Sequence, residues 1–236
     1  DQLEAFQESD LFVWTYTLEL HKIFNEPLCP MSLRVRQPFE EIYGEGIEKD
    51  VASVQQKYSQ RKYLHYQARW QEVDTYLGLL FQYIERHYAP EDYVVTLFSD
   101  HGVTAIDTDD FILKPNHTQT CFMVRGAGVP ERGLVTDEVT NGVDLYPTVC
   151  HLAGVPYDPE KIAGVVPKAL GGPGRNYSIT ESLFPGQVYR ICIRDLDYEL
   201  RLITDSIVQY DGYIHLEPFK ATLLDRRTME PVDKPE

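Results

Sequence analysis

The run VVTLFSDHG, Val94 to Gly102, sets Asp100 beside His101 directly after residues suited to a buried strand. A carboxylate and an imidazole both offer lone pairs at neutral pH. On the irregular backbone of a turn, which Gly102 makes accessible, two adjacent side chains can swing toward one point. Such a pair suits Zn²⁺ or Mn²⁺, and additional oxygen ligands would shift the choice toward Ca²⁺ or Mg²⁺. In an open α/β sheet, ligands bind beyond the carboxyl ends of the strands, which is where these residues fall. The residue types alone leave a second reading open, in which Asp100 caps a following turn and His101 faces solvent.

The elements that must position this pair are readable from hydrophobic patterning. Leu11 to Leu18, LFVWTYTL, reads as a nearly continuous buried strand, with His21 in the loop after it. From about Asp50 to His87 the pattern turns helical, with Val73, Leu77, Leu80, Phe81 and Ile84 on one apolar face, and Ala89-Pro90 ends it. Tyr93 to Phe98 is then a strand. A strand, helix, strand order favours a parallel α/β sheet, whose strands read as continuous apolar runs. CFMVRGAGV, from Cys121, reads as another buried strand ending in a glycine turn. VDLYPTVCHLAGVP, from Val143, reads as a short helix stopped by Gly154 and Pro156. Beyond a Gly/Pro-rich break at Gly164–Gly174, the runs YSITESL, VYRICIRD, YELRLIT and IVQYDGYIHLE alternate and read as short antiparallel strands.

Composition excludes several partners. The 236 residues carry 37 acidic against 22 basic side chains, a formal charge of −15, so the average field repels nucleic acid and anionic lipid. No apolar stretch approaches the roughly 20 residues that span a bilayer. The opening DQLEAFQESD is acidic and polar, unlike a secretory signal, and nothing else in the sequence names a compartment. Four cysteines are widely spaced with no CxxC, and Cys121 and Cys192 fall in strand-like runs that suit buried free thiols. Asn116-His117-Thr118 and Asn176-Tyr177-Ser178 match glycosylation sequons, which carry meaning only in a secretory context.

VVTLFSDHG resembles the metal-binding SDHG segment of the sulfatases, in the alkaline phosphatase superfamily. The preceding helix, from YLHYQARW onward, is similar to that family's Y-x-A-x-x-x-x-x-D-x-x-x-G-x-L-L helix. FMVRGAGV resembles its next strand and glycine turn, and VDLYPTVCHLAGVP its D-[LI]-x-P-T-x-x-x-x-[AL]-G helix. The resemblance covers most of Leu11 to Pro156. It implies that Asp100 and His101 are metal ligands, for a divalent ion that could be Ca²⁺, Mn²⁺ or Zn²⁺. It also implies that His21 and Lys114 are catalytic. His21 would give a hydrogen bond or proton to the leaving oxygen, and Lys114 would stabilise charge on the transferred group. The sequence departs from the family at both: Leu20 stands where a Pro usually precedes the histidine, and VTAIDTDDFIL replaces the glycine-rich approach to the lysine. Some phosphoesterase branches place a metal-binding His-Thr before the next strand, so His117, sixteen residues after His101, is a substrate contact, a ligand or a loop residue.

The expected fold is a three-layer α/β sandwich with a largely parallel central sheet, alkaline phosphatase-like, plus a small C-terminal antiparallel subdomain. The expected division is 1–170 for the α/β part and 171–236 for the subdomain. By the same resemblance the nucleophile and at least one metal-binding Asp belong to an N-terminal half that precedes these residues, where a formylglycine would sit. Cys29-Pro30 does not supply Cys/Ser-x-Pro-x-Arg, because Arg34 is too far along. The expectation is therefore the C-terminal portion of a metal-dependent sulfuric ester hydrolase, inactive alone, acting on an anionic ester once joined to that half. Two alternatives stay open: a phosphoric or phosphonic ester hydrolase or phosphoryl transferase of the same superfamily, and a degenerate member that binds an anion without turnover. A sheet edge left exposed where the other half packs would favour self-association.

Overall fold

The structure, a computed structural model, describes residues 10–17, 20, 60–102, 111–130, 133–209 and 214–232. His21 and Cys29 lie outside the described residues, as does most of the loop between His101 and Phe111. The chain divides into two compact units, Asp1–Tyr83 and Ile84–Glu236.

Among the described residues of the first unit is helix α1, Gln60–His87, whose last turn belongs to the second. Val73, Leu77, Leu80 and Phe81 are half-buried along it while Gln71, Asp74, Thr75 and Gln82 are exposed, as the apolar spacing predicts. Its end follows from Pro90 two residues beyond Tyr88, and Arg86 and His87 complement the negative end of the helix dipole. The run expected as a buried strand at Leu11–Leu18 is not one: residues 11–17 form no ladder and are exposed, Phe12 at 77% and Trp14 at 61%. The reason is that an apolar run becomes a strand only when another strand takes up its N–H and C=O groups, and no described strand does so here.

Among its described residues the second unit holds two sheets. Strand β1, Val94–Phe98, pairs antiparallel with β2, Phe122–Gly126, in a register that sets Val94 opposite Gly126 and Phe98 opposite Phe122. Gly126 has φ +115°, and a Cβ there would lie 1.9 Å from the carbonyl oxygen of Tyr93, so the strand can end so close to its neighbour only at glycine. The short helix α2, Pro115–Thr118, lies between the two strands in sequence, and α3, Leu145–Leu152, packs against β1. The largely parallel sheet expected from the strand, helix, strand order is not what the described residues form. Both of their sheets are antiparallel. The order α1–β1 constrains a parallel partner only through a preceding strand, and the described residues 11–17 of the run expected there form no strand.

The second sheet is the meander β3 (Ser178–Ser182), β4 (Val188–Arg194), β5 (Tyr198–Ile207) and β6 (Phe219–Asp225). Three of its strands match the alternating runs expected as antiparallel. The fourth expected run, IVQYDGYIHLE, forms no strand in its described part after Ile207, and β6 instead occupies FKATLLD. Asp195 makes the β4–β5 turn: its carboxylate accepts the N–H groups of Asp197 and Tyr198 at 2.8 and 2.6 Å. Among the described residues no helix is long and apolar enough to cross a membrane.

Cys121, Cys150 and Cys192 are free thiols. Cys192 is 1% exposed, and burial pushes its thiol up to about 12. Cys121 is only half-buried. Thiolate is the reactive form, so alkylation of the native protein at pH 8 should label Cys121 well before Cys192. Mass mapping of a short iodoacetamide pulse checks the order, and equal labelling would contradict the packing of β4.

Candidate active site

Each residue of Ser99-Asp100-His101-Gly102 has a separate job in the turn that ends β1. Ser99 N–H donates to the Cys121 carbonyl at 3.3 Å and Ser99 Oγ accepts the Cys121 N–H at 3.2 Å, which holds the exit of β1 against the entry of β2. Asp100 Oδ1 accepts the His101 N–H at 2.9 Å, which folds the carboxylate back over the turn. His101 Nδ1 lies 2.7 Å from the Gly102 carbonyl. A carbonyl only accepts, so Nδ1 carries a proton, and in the neutral ring the lone pair is then on Nε2. Asp100 Oδ2 is 3.7 Å from that Nε2, too far for a hydrogen bond but close enough for two donors aimed at one neighbourhood. Both side chains are open to solvent, at 64% and 49%.

Gly102 is what allows the second half of the site to approach. Its N–H donates to the His117 carbonyl at 2.7 Å, and a Cβ at position 102 would sit 2.2 Å from the carbonyl oxygen of Asn116. The neighbouring atom is backbone, so it cannot rotate away. Gly102→Ala should therefore cost about 1–3 kcal/mol and separate the two turns. Thermal unfolding checks the first part and the nuclear Overhauser effect between the His101 and His117 rings the second. A wild-type-like pair of results would contradict the close approach.

His117 sits on α2, whose start is fixed by Pro115 at the first turn and whose last residue, Thr118, bonds back to the Lys114 carbonyl through Oγ1 at 3.0 Å. His117 Nδ1 lies 2.8 Å from the Ile112 carbonyl, so this imidazole too has Nδ1 protonated, which in the neutral ring leaves the lone pair on Nε2. The rings of His101 and His117 meet edge-on, centroids 5.3 Å apart. A backbone carbonyl on Nδ1 is the arrangement by which proteins orient metal-ligating or substrate-contacting imidazoles. Lys114 stands immediately before α2 and is 5% exposed.

The segment Phe111–Thr118 is held from below by the second sheet. Cross-strand register sets Arg194 opposite Glu199 and Cys192 opposite Arg201 on one face, with Ile203 beside them. Phe111, Leu113 and Cys192 form a buried cluster with Ile112 and Ile203 packed against it. Glu199 is 0% exposed and accepts Arg194 Nε and Arg201 Nε, each at 2.5 Å. Arg194 then donates to Thr118 Oγ1 at 2.6 Å and to the Leu113 carbonyl, while the Arg201 guanidinium lies 4.5 Å over the Phe111 ring. The sequence reading missed this group. Its signal was opposite charges at positions that pair across a hairpin, in strands whose other face carries Ile191, Ile193, Leu200 and Leu202.

The sulfatase family matches residues 5–155, well over half of the chain. This chain belongs to the sulfatase family. Among solved structures, a protein of Bacteroides thetaiotaomicron VPI-5482 assigned as a sulfatase is similar in fold, with a TM-score of 0.52 at 20% identity over 73% of this chain. The match covers 38% of that protein, so the sulfatase-family segment here spans well under half of its length. No curated protein matches the chain.

The donor set fits part of a divalent-metal site. Asp100 would offer a carboxylate oxygen and His101 its Nε2, the nitrogen that does not face the Gly102 carbonyl. Among the described residues, no three carboxylate, imidazole or thiolate side chains converge to hold an ion. Structural and catalytic ions need at least three protein ligands as a rule, so a complete site requires donors beyond these.

Proposed function

We propose that this chain is the C-terminal part of a metal-dependent sulfuric ester hydrolase, with Asp100 and His101 as two of its metal ligands. The observation that carries the reading is the Asp100–His101 turn, with the His101 tautomer fixed by the Gly102 carbonyl and both side chains open to a ligand. A divalent ion bound there would neutralise charge on the ester oxygens. His117, beside His101, would donate or accept a hydrogen bond at the ester through Nε2. Lys114, on the same turn, would supply positive charge against the anion, and His21 would act at the leaving oxygen. Acting on an anionic ester suits a locally cationic pocket in a chain of net charge −15, since the remaining surface then repels unbound anions from everywhere else.

Hydrolysis at sulfur or phosphorus also needs an activated nucleophile, and no residue at a recognisable position here provides one. The nucleophile and at least one more carboxylate ligand would come from a preceding segment of the same protein. The isolated 236 residues should then turn over neither 4-nitrophenyl sulfate nor 4-nitrophenyl phosphate, and robust hydrolysis of either by them alone would sink the reading.

One observation favours a phosphoric ester instead. His117-Thr118 abuts His101, and a second imidazole at the ion suits the phosphoesterase branches of the superfamily. The coding sequence upstream of Asp1 discriminates the two. Cys/Ser-x-Pro-x-Arg there supports a formylglycine sulfatase, whereas a Ser or Thr nucleophile outside that motif supports phosphoryl chemistry.

A further inference from the structure

We propose that Arg194, locked by Glu199, is a positioning residue that sets the orientation of His117 by clamping both ends of the turn that carries it. The clamp has two points of attachment. Arg194 donates to the Leu113 carbonyl ahead of the turn and to Thr118 Oγ1, at 2.6 Å, at its end. Between them lie Lys114 and the helix Pro115–Thr118 with His117. Thr118 Oγ1 links the two: it accepts from Arg194 and donates its own O–H to the Lys114 carbonyl at 3.0 Å, closing the turn.

The clamp is itself fixed. Glu199, fully buried, takes Arg194 Nε at 2.5 Å and Arg201 Nε at 2.5 Å, so a single carboxylate aligns both guanidinium groups. A planar fork of this kind presents its remaining N–H groups in one rigid direction, which lysine cannot reproduce. With the turn so held, the Ile112 carbonyl meets His117 Nδ1 at 2.8 Å and dictates the tautomer, while the His117 carbonyl receives Gly102 N–H at 2.7 Å. The C-terminal sheet thus reaches the Asp100–His101 turn through one arginine and one threonine. What the oriented His117 serves rests on the ester-hydrolase reading above; its orientation by Arg194 does not.

The test uses the 236-residue chain and three variants: Arg194→Lys, Arg194→Gln and Thr118→Val. Thr118→Val removes one attachment while leaving every residue of the sheet and the Glu199 ion pairs in place, so it remains informative if the arginine variants do not fold. Long-range ¹H–¹⁵N spectra at a fixed pH of about 8, where an ordinary imidazole is neutral, report which His117 nitrogen carries the proton. The wild type should show the Nδ1–H form. In Thr118→Val, and in whichever arginine variant folds, the ratio of Nδ1–H to Nε2–H should fall about tenfold, the loss of one hydrogen bond of ordinary strength. The β4 and β5 amide signals should stay in place in Thr118→Val. A merely structural arginine would lower the melting temperature and leave the His117 ring signals of Thr118→Val unchanged, and that result overturns the proposal. Mn²⁺ broadening of the Asp100 and His101 amides in the wild type reports the ester-hydrolase reading separately. Its absence beside a shifted His117 tautomer removes that reading and leaves the clamp standing; its presence beside an unmoved tautomer does the reverse.

Discussion

Glu199→Ala is expected to destabilise the protein by about 3–5 kcal/mol, because it removes the one buried carboxylate that two guanidinium groups share. Glu199 is 0% exposed and accepts from both Arg194 and Arg201. Arg194 is 8% exposed, so it cannot recover its lost partner from solvent. A domain of this size holds only about 5–15 kcal/mol in total, so the loss is a large share of it. Glu199→Gln keeps the shape and one acceptor oxygen and should cost less, though it still leaves the two cations uncompensated. The whole assembly is not thereby a source of net stability. Replacing all three charges with apolar residues of similar volume is expected to be far milder than removing one, since it removes the desolvation cost as well. Urea titration of the three variants checks the ranking, and a Glu199→Ala loss below about 1 kcal/mol would place the group in contact with water.

Asp144→Ala should be comparably severe, again about 3–5 kcal/mol, by loss of a buried ion pair and of buried hydrogen bonds together. Asp144 is 1% exposed. Its Oδ2 accepts Asn141 N–H and Arg175 Nε, both at 2.8 Å, and its Oδ1 accepts Val165 N–H at 2.9 Å as well as Arg175 Nη2. One carboxylate therefore ties the start of α3, the chain entering Val165 and Arg175 to a single point. Asn141 completes a reciprocal cap by accepting the Val143 N–H and donating to the Ile179 carbonyl at 3.0 Å, which links α3 to β3. Asp144→Asn retains two polar atoms but turns an N–H₂ toward Arg175 or a backbone N–H, so it should recover only a minor part of the loss. Thermal unfolding of both variants checks this, and an alanine variant within about 0.5 kcal/mol of wild type, the range of ordinary surface substitutions, would contradict the burial of the pair.

The local elements of this chain were legible where sequence-adjacent residues decide them. The apolar spacing and Pro90 give α1, the turn residues give α3, and alternation gives three strands of the meander. What was illegible depends on partners distant in sequence. Leu11–Leu18 has the composition of a buried strand, yet its described residues 11–17 are exposed, because composition states what a strand would bury and not whether one lies beside it. The pairing of β1 with β2 is antiparallel, although both runs read as the continuous apolar strands of a parallel sheet. Continuous apolar character reports burial on two faces, and direction follows only from the connection.

For the candidate site, residue types pointed to Asp100 and His101 and the family resemblance added His117, and the structure brings the His101 and His117 rings together. Lys114 falls on the same turn, buried, while His21 lies outside the described residues. Gly102 was read as freedom for a turn, yet its φ is not in the left-handed region and its role is space for the Asn116 carbonyl. Arg194, Glu199 and Arg201 escaped notice because charged residues in an alternating strand normally mark the solvent face, and here that face covers Phe111–Thr118.

The central claim is that Asp100 and His101 hold a divalent ion, and paramagnetic line broadening by Mn²⁺ tests it even for a weak, incomplete site. In the ¹⁵N-labelled protein, substoichiometric Mn²⁺ should broaden the amides of Asp100, His101 and Gly102 before those of the exposed carboxylates Asp197, Asp205 and Glu217. Asp100→Asn should abolish that priority while leaving broadening elsewhere unchanged. Broadening that begins at other acidic positions, or that ignores the Asp100→Asn change, would contradict the claim.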